Sequence, residues 1–242
     1  MEPGERIICA IDVNTAERAI HLVERLRGHV GVFKIGLELI MAEGIGVVER
    51  LRDAGADKIF FDAKLHDIPN TVAGAMRGIV HLGAWCVTVH TTGGSQMMQT
   101  ATQTARCEAN KLNLPCPKIL GVTVLTSISE EILCSELSVG KSLPNFVMQL
   151  AQSAQTSGCD GVIASPQEIS LIRAAISDPN FFIITPGVRP AGSERGDQAR
   201  TMTPAEAIQC GANYLVIGRP IVAAPSPVDA AKRIADEIAD AL

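Results

Sequence analysis

Aromatic side chains are scarce in this chain: one tryptophan, one tyrosine and six phenylalanines make up 3% of 242 residues. The core therefore cannot rest on stacked rings. With 47% hydrophobic residues it must be built from Ala, Ile, Val and Leu, which suits parallel strands covered by helices on both faces. Excess positive charge is also missing. A formal net charge of −5 argues against a general nucleic-acid role, which needs a clustered basic surface. A local basic pocket for a single phosphate stays allowed. No uninterrupted apolar run approaches the roughly 18 residues needed to span a membrane. The opening MEPGERIICAID has no basic stretch followed by a long apolar one, so no signal peptide is expected. Seven cysteines, at 9, 86, 107, 116, 134, 159 and 210, form no C-x-x-C, and none pairs with histidine at zinc-finger spacing. In contexts such as IICAI and AWCVTV they read as reduced packing residues of a cytoplasmic protein. With no linker and no low-complexity tract, one domain over residues 1–242 is expected.

Eight short β-rich runs are present: 6–12, 31–36, 58–64, 85–90, 118–125, 160–165, 181–187 and 213–219. Amphipathic segments lie between them. In TAERAIHLVERLRG, Ala19, Leu22, Val23 and Leu26 form one stripe, and a glycine at 28 closes the pattern. The others are ELIMAEGIGVVERLRDAG, PNTVAGAMRGIVHLG, SQMMQTATQTARCEAN, PNFVMQLAQSAQTSG, PQEISLIRAAIS, TPAEAIQCG and SPVDAAKRIADEIADAL. Strand and helix alternating eight times predicts an α/β fold, a closed TIM (β/α)8 barrel. An open doubly wound sheet fits less well, because the first turn, AIDVNTAE, lacks G-x-G-x-x-G. Irregular structure is expected at 126–143 and 188–203.

Barrels of this kind carry their chemistry at the C-terminal ends of strands. Those ends read Asp12, Lys34, Asp62 with Lys64, His90, Thr126 with Ser127, Ser165, Arg189 and Arg219. Strand alternation puts Phe60, Asp62 and Lys64 on one face and Phe61 and Ala63 on the other. Two charges against the outer helices would be costly even as a pair, so both face the barrel mouth. An ammonium at Lys64, flanked by Asp62 and Asp67, suits proton donation and is poorly suited to Schiff-base chemistry, which needs a neutral amine. Lys34 can neutralise the same carboxylates. Simpler roles stay open: Asp12 as a cap of the next helix, and Asp67 as the start of the helix whose first position suits Pro69.

PGVRP after the seventh strand and IGRPI after the eighth each join a glycine to an arginine. Gly187 and Gly218 let backbone N–H groups approach an anion, while Arg189 and Arg219 offer forked donors. The polar stretch between them has the length of a lid, from which Gln198 can reach the site. His66 and His90 lack partners at metal-ligand spacing and read as structural. Ser165 and Cys159 lack a base.

These motifs resemble the orotidine 5′-phosphate decarboxylase family in its compact bacterial form. The most specific is DAKLHDIPNT at 62–71, which fits D-x-K-x-x-D-I-x-x-T. Around it, in the family's order, stand AID, FKIG, VTVLTS, PGVRP, GDQAR and VIGRPI. Ala63 and Ala199 depart from common family residues at positions without assigned chemistry. The resemblance implies decarboxylation of orotidine 5′-monophosphate to UMP in pyrimidine synthesis, with no metal or organic cofactor. By the same resemblance Lys64 protonates C6 and Asp62 lies beside the substrate carboxylate. Asp12 and Lys34 hold the ribose, and Thr126 and Ser127 the pyrimidine. Arg189, Gln198, Gly218 and Arg219 grip the phosphate. Asp67, Ile68 and Thr71 reach the neighbouring site of a homodimer.

Alternatives are a metal-dependent sugar-phosphate lyase or aldolase, a Schiff-base aldolase, and a catalytically silent nucleotide-phosphate binder. The VTVLTS turn and the long lid favour the nucleotide enzyme over the first.

Overall fold

Short runs that are mostly apolar on both faces must be covered on both sides. The structure, a computed structural model describing residues 1–190 and 202–242, forms strands from all eight. They are β1 (Ile7–Ala10), β2 (Val32–Ile35), β3 (Ile59–Leu65), β4 (Cys86–His90), β5 (Lys118–Val122), β6 (Gly161–Ile163), β7 (Phe182–Thr185) and β8 (Tyr214–Ile217). Each pairs in parallel with the next, and β8 pairs back on β1, closing the expected barrel.

Alternation divides the core into two layers. Ile8, Ala10, Val32, Phe60, Cys86, Leu120, Ile184, Tyr214 and Val216 fill the barrel interior. Their neighbours Ile7, Cys9, Phe33, Phe61, Val87, Ile183 and Leu215 face outward into the larger core beneath the helices. The few aromatic residues are concentrated at the strand starts: Tyr214 meets Trp85 and Phe182 edge-on, with ring centroids 5.1 and 5.8 Å apart. Such large apolar rings seal the lower end of the barrel and leave the opposite mouth for polar groups.

The crossovers contain α1 (Ala16–Leu26), α2 (Leu37–Glu43), α3 (Val47–Asp53), α4 (Pro69–His81), α5 (Ser95–Leu112), α6 (Glu130–Ser135), α7 (Leu143–Thr156), α8 (Ile169–Ala175), α9 (Pro204–Gln209), α10 (Arg219–Val222) and α11 (Pro227–Ala239). On α1 the buried face is Ala16, Ala19, Leu22, Val23 and Leu26, the stripe read from the sequence. The amphipathic segment 38–55 is two helices, because Gly44 ends α2 at φ 73°, ψ 176°, a conformation open essentially to glycine alone. The 126–143 segment is not wholly irregular. Ser129 accepts the Ile132 N–H, and Glu130 and Glu131 occupy the first turn, where acidic residues favour a helix start, so α6 forms there. Packing explains only part of the cysteine set. Cys9, Cys86 and Cys159 are buried, but Cys107, Cys116 and Cys134 are exposed, and none is disulfide-bonded.

Candidate active site

Asp12 follows β1, where a carboxylate commonly caps the next helix. Here Thr15 caps α1, accepting the Arg18 N–H. Asp12 Oδ1 instead accepts from Lys34 Nζ at 2.9 Å. Lys34, buried at the end of β2, also lies 3.7 Å from Asp62 Oδ2. Asp62 Oδ2 in turn accepts from Lys64 Nζ at 2.6 Å. The ends of β2 and β3 and the turn after β1 thus supply a line of alternating charge, Asp12–Lys34–Asp62–Lys64, across the barrel mouth.

Burial by itself would raise the Asp62 carboxyl pKa. The Lys34 and Lys64 charges, with hydrogen bonds from Lys64 and Thr88, outweigh burial and hold it below the usual carboxylate range. The anion survives in a buried place because cations and donors surround it.

Strand alternation predicts Lys64 on the Asp62 face, and the two side chains do meet. The backbone between them is nevertheless irregular. Phe61 pairs with Val87 and Leu65 with Val89, so β3 slips against β4, and Lys64 adopts φ 47°. A non-glycine residue there costs on the order of 1–3 kcal/mol, and such strain clusters at functional sites. Thr88, wholly buried on β4, spans the slip: the Lys64 N–H donates to Thr88 Oγ1 at 2.9 Å, and Thr88 Oγ1 donates to Asp62 Oδ1 at 2.9 Å. Thr88 lies before the strand end, where position alone does not single it out. Its signal was a lone hydroxyl at the centre of CVTVH, in phase with inward-facing Cys86.

The charge line opens on a cavity of about 520 Å³, lined on its apolar side by residues including Ala10, Phe60, Val122, Ile163 and Val216. Asp12, Lys34, Asp62, Lys64, Thr126, Arg189, Gly218 and Arg219 all line it, joined by Glu38 and Pro186, which were not anticipated. Gly187 also lines it and has φ 78°, a conformation natural to glycine. The Arg189 N–H donates to the Met202 carbonyl at 3.0 Å. Gly218 precedes α10, and its carbonyl accepts from the Ile221 and Val222 N–H groups. Ser127 is exposed and outside the cavity lining, and Gln198, with most of the anticipated lid, lies outside the described residues.

Asp67, Ile68 and Thr71 are exposed and do not line this chain's cavity. Ile68 occupies the N-cap position of α4 and Pro69 the first helical position; Asp67 accepts only the adjacent Ile68 N–H, at 2.6 Å, among the bonds described. The His66 and His90 rings lie 5.1 Å apart. Burial, then His66 and Lys64, lower the His90 pKa against an opposing pull from Asp62. Burial pushes the Cys159 thiol up to about 12, so it offers no thiolate near neutral pH. No group of three or more His, Cys, Asp or Glu able to hold a metal occurs among the described residues.

A closed parallel barrel with a lysine–aspartate line at the C-terminal mouth, facing two arginine turns across one cavity, defines a (β/α)8-barrel enzyme. The chain belongs to the orotidine 5′-phosphate decarboxylase / HUMPS family, whose profile matches residues 5–234. It is 50% identical over 238 residues to the orotidine 5′-phosphate decarboxylase of Moorella thermoacetica, covering 98% of this chain and 94% of the relative. It is 47% identical to that of Syntrophomonas wolfei, covering 98% and 99%. A crystal structure of orotidine 5′-phosphate decarboxylase from Lactobacillus acidophilus superposes with TM-score 0.84 at 37% identity, over 96% of this chain and 98% of the other.

Proposed function

We propose that this chain decarboxylates orotidine 5′-monophosphate to UMP, in one domain spanning residues 1–242 and without metal or organic cofactor. The observation that carries the reading is Lys64 Nζ, 2.6 Å from a buried, ionised Asp62, in the same cavity as the Gly187–Arg189 and Gly218–Arg219 turns. The family membership and full-length relatives of that name support it.

In this reaction the bond from C6 to the carboxylate breaks, its electron pair stays on C6, and carbon dioxide leaves. The carbanion is vinylic and the ring does not delocalise it as an enolate would. Catalysis must then come from positive charge placed where negative charge develops. The Lys64 ammonium does so and passes its proton to C6. Asp62, beside the departing carboxylate, holds Lys64 in position. Asp12 and Lys34 bind ribose hydroxyls, and Thr126, which lines the cavity, faces the pyrimidine. Gly218, Arg189 and Arg219, with Gln198, take the phosphate, whose binding energy favours the closed, dry site.

The functional unit in this proposal is a homodimer in which Asp67, Ile68 and Thr71 complete the neighbouring site. Their exposure and absence from their own cavity lining are compatible with that role. A cytoplasmic location also belongs to the reading; no helix among the described residues is long and apolar enough to cross a membrane.

The deciding assay follows loss of pyrimidine absorbance with orotidine 5′-monophosphate. Turnover that persists in excess chelator is expected, since Asp62 lies between two ammonium groups that repel a divalent cation. Tight UMP binding without turnover would instead favour a silent binding protein.

A further inference from the structure

Thr88 has no place among the groups that line the cavity, yet it is the point at which the two central catalytic groups are tied together. From Phe61 to Leu65, β3 advances four residues while its partners on β4 advance only from Val87 to Val89. The slack holds Asp62, Ala63 and Lys64, and Lys64 absorbs it at φ 47°. In this irregular stretch the Lys64 N–H donates to a side chain, the Thr88 hydroxyl. The same hydroxyl donates its own proton to Asp62 Oδ1, while Asp62 Oδ2 receives Lys64 Nζ. One oxygen therefore fixes the backbone of the lysine and the rotation of the carboxylate that aims it. A hydroxyl is the smallest group that accepts and donates at once.

We propose that Thr88 is a positioning residue for the Asp62–Lys64 pair. It holds the left-handed turn at Lys64 and orients the carboxylate, so that the ammonium is preset toward the reacting carbon. The inference rests on the function proposed above. Thr88 touches the catalytic pair and not the cavity, so its effect falls on kcat and not on ligand affinity. Misplacing a catalytic group by an ångström costs on the order of 10²-fold in rate.

Valine matches threonine in shape and lacks both hydrogen-bonding functions, whereas serine keeps them and loses only the methyl group. The expected result is a kcat reduced about 10²-fold in Thr88→Val, with KM for orotidine 5′-monophosphate and Kd for UMP within about threefold of wild type. Thr88→Ser should stay within about fivefold of the wild-type kcat, because its hydroxyl can still serve both partners. If Thr88→Val does not fold, Thr88→Ala against Thr88→Ser makes the same comparison. Serine losing as much as valine or alanine would assign the effect to methyl packing and overturn the proposal. So would a hydroxyl-free variant with kcat within about threefold of wild type.

A second readout needs no turnover. The Asp62 carboxyl is faced by Lys34 from β2, Lys64 from β3 and Thr88, Cys86 and His90 from β4. Removing the Thr88 donor should raise the carboxyl titration midpoint, followed by carbon NMR, in Thr88→Val and not in Thr88→Ser. An unmoved midpoint overturns the positioning role even if the enzyme is active. A wild-type protein that does not turn over substrate, yet whose midpoint moves in Thr88→Val, refutes the proposed function and leaves the positioning role standing.

Discussion

Asp62 is a carboxylate that burial would neutralise were it not ringed by Lys34, Lys64 and Thr88. Its pKa is lower folded than the ordinary 3.8, so the unfolded chain binds the proton more readily. The sign follows: its contribution to stability is fully present above about pH 4, and is lost as pH falls through the depressed folded value. Urea unfolding of wild type should show stability declining below about pH 4, and Asp62→Asn should show a shallower decline over the same window. Equal slopes would mean that the carboxyl is not held down. In the proposed reaction Lys64 carries the chemistry proper. Lys64→Ala should lower kcat by ~10³-fold or more, within the range removed with a general acid and a charge at the reacting carbon. UMP, having no carboxylate at C6, should still bind; calorimetry checks this, and near-normal turnover would remove Lys64 from its role.

Elements are decided by their ends. The stripe on α1 was legible because apolar spacing is a local property, and α1, α4 and α5 lie close to their sequence-based bounds. The division of 38–55 was not, because helix spacing continues through Gly44 and only its φ and ψ reveal the break. Gly44→Ala should destabilise by about 2 kcal/mol, lowering Tm by roughly 4–8 °C. Gly46→Ala, at φ −61° in ordinary helical geometry with open space around it, should cost nothing. Both should leave kcat within about twofold, since neither glycine lines the cavity. Calorimetry on the pair separates backbone strain from the addition of a methyl group. At β3 the lesson differs. Alternation correctly paired Asp62 with Lys64, although the strand is irregular there, because the slip is absorbed without turning either side chain outward.

For the whole molecule, the proposed dimer makes the sharpest demand. Asp67 was open to two readings, helix start or contribution to a neighbour; the α4 N-cap position belongs to Ile68, and Asp67 is exposed. If each site takes Lys64 from one chain and Asp67 from the other, mixing Lys64→Ala with Asp67→Ala creates hybrid dimers holding one intact site. An equal mixture with free exchange should recover about a quarter of wild-type activity, as expected of a two-fold symmetric assembly with shared sites. No recovery despite demonstrated subunit exchange would place the action of Asp67 within its own chain.

The sequence by itself determined the barrel, because eight short apolar strands alternating with amphipathic helices bury both sheet faces most simply by closing. It also determined which strand ends carry charge, since both are matters of spacing along the chain. Tertiary structure alone decided how those ends are wired. Asp12 bonds Lys34 instead of capping α1, and Thr88 reaches 24 residues back to Lys64 and 26 to Asp62. Such contacts depend on strand register and on which competing donor satisfies each helix end. Both are set by how the closed barrel brings distant segments side by side, a relation that no local pattern records.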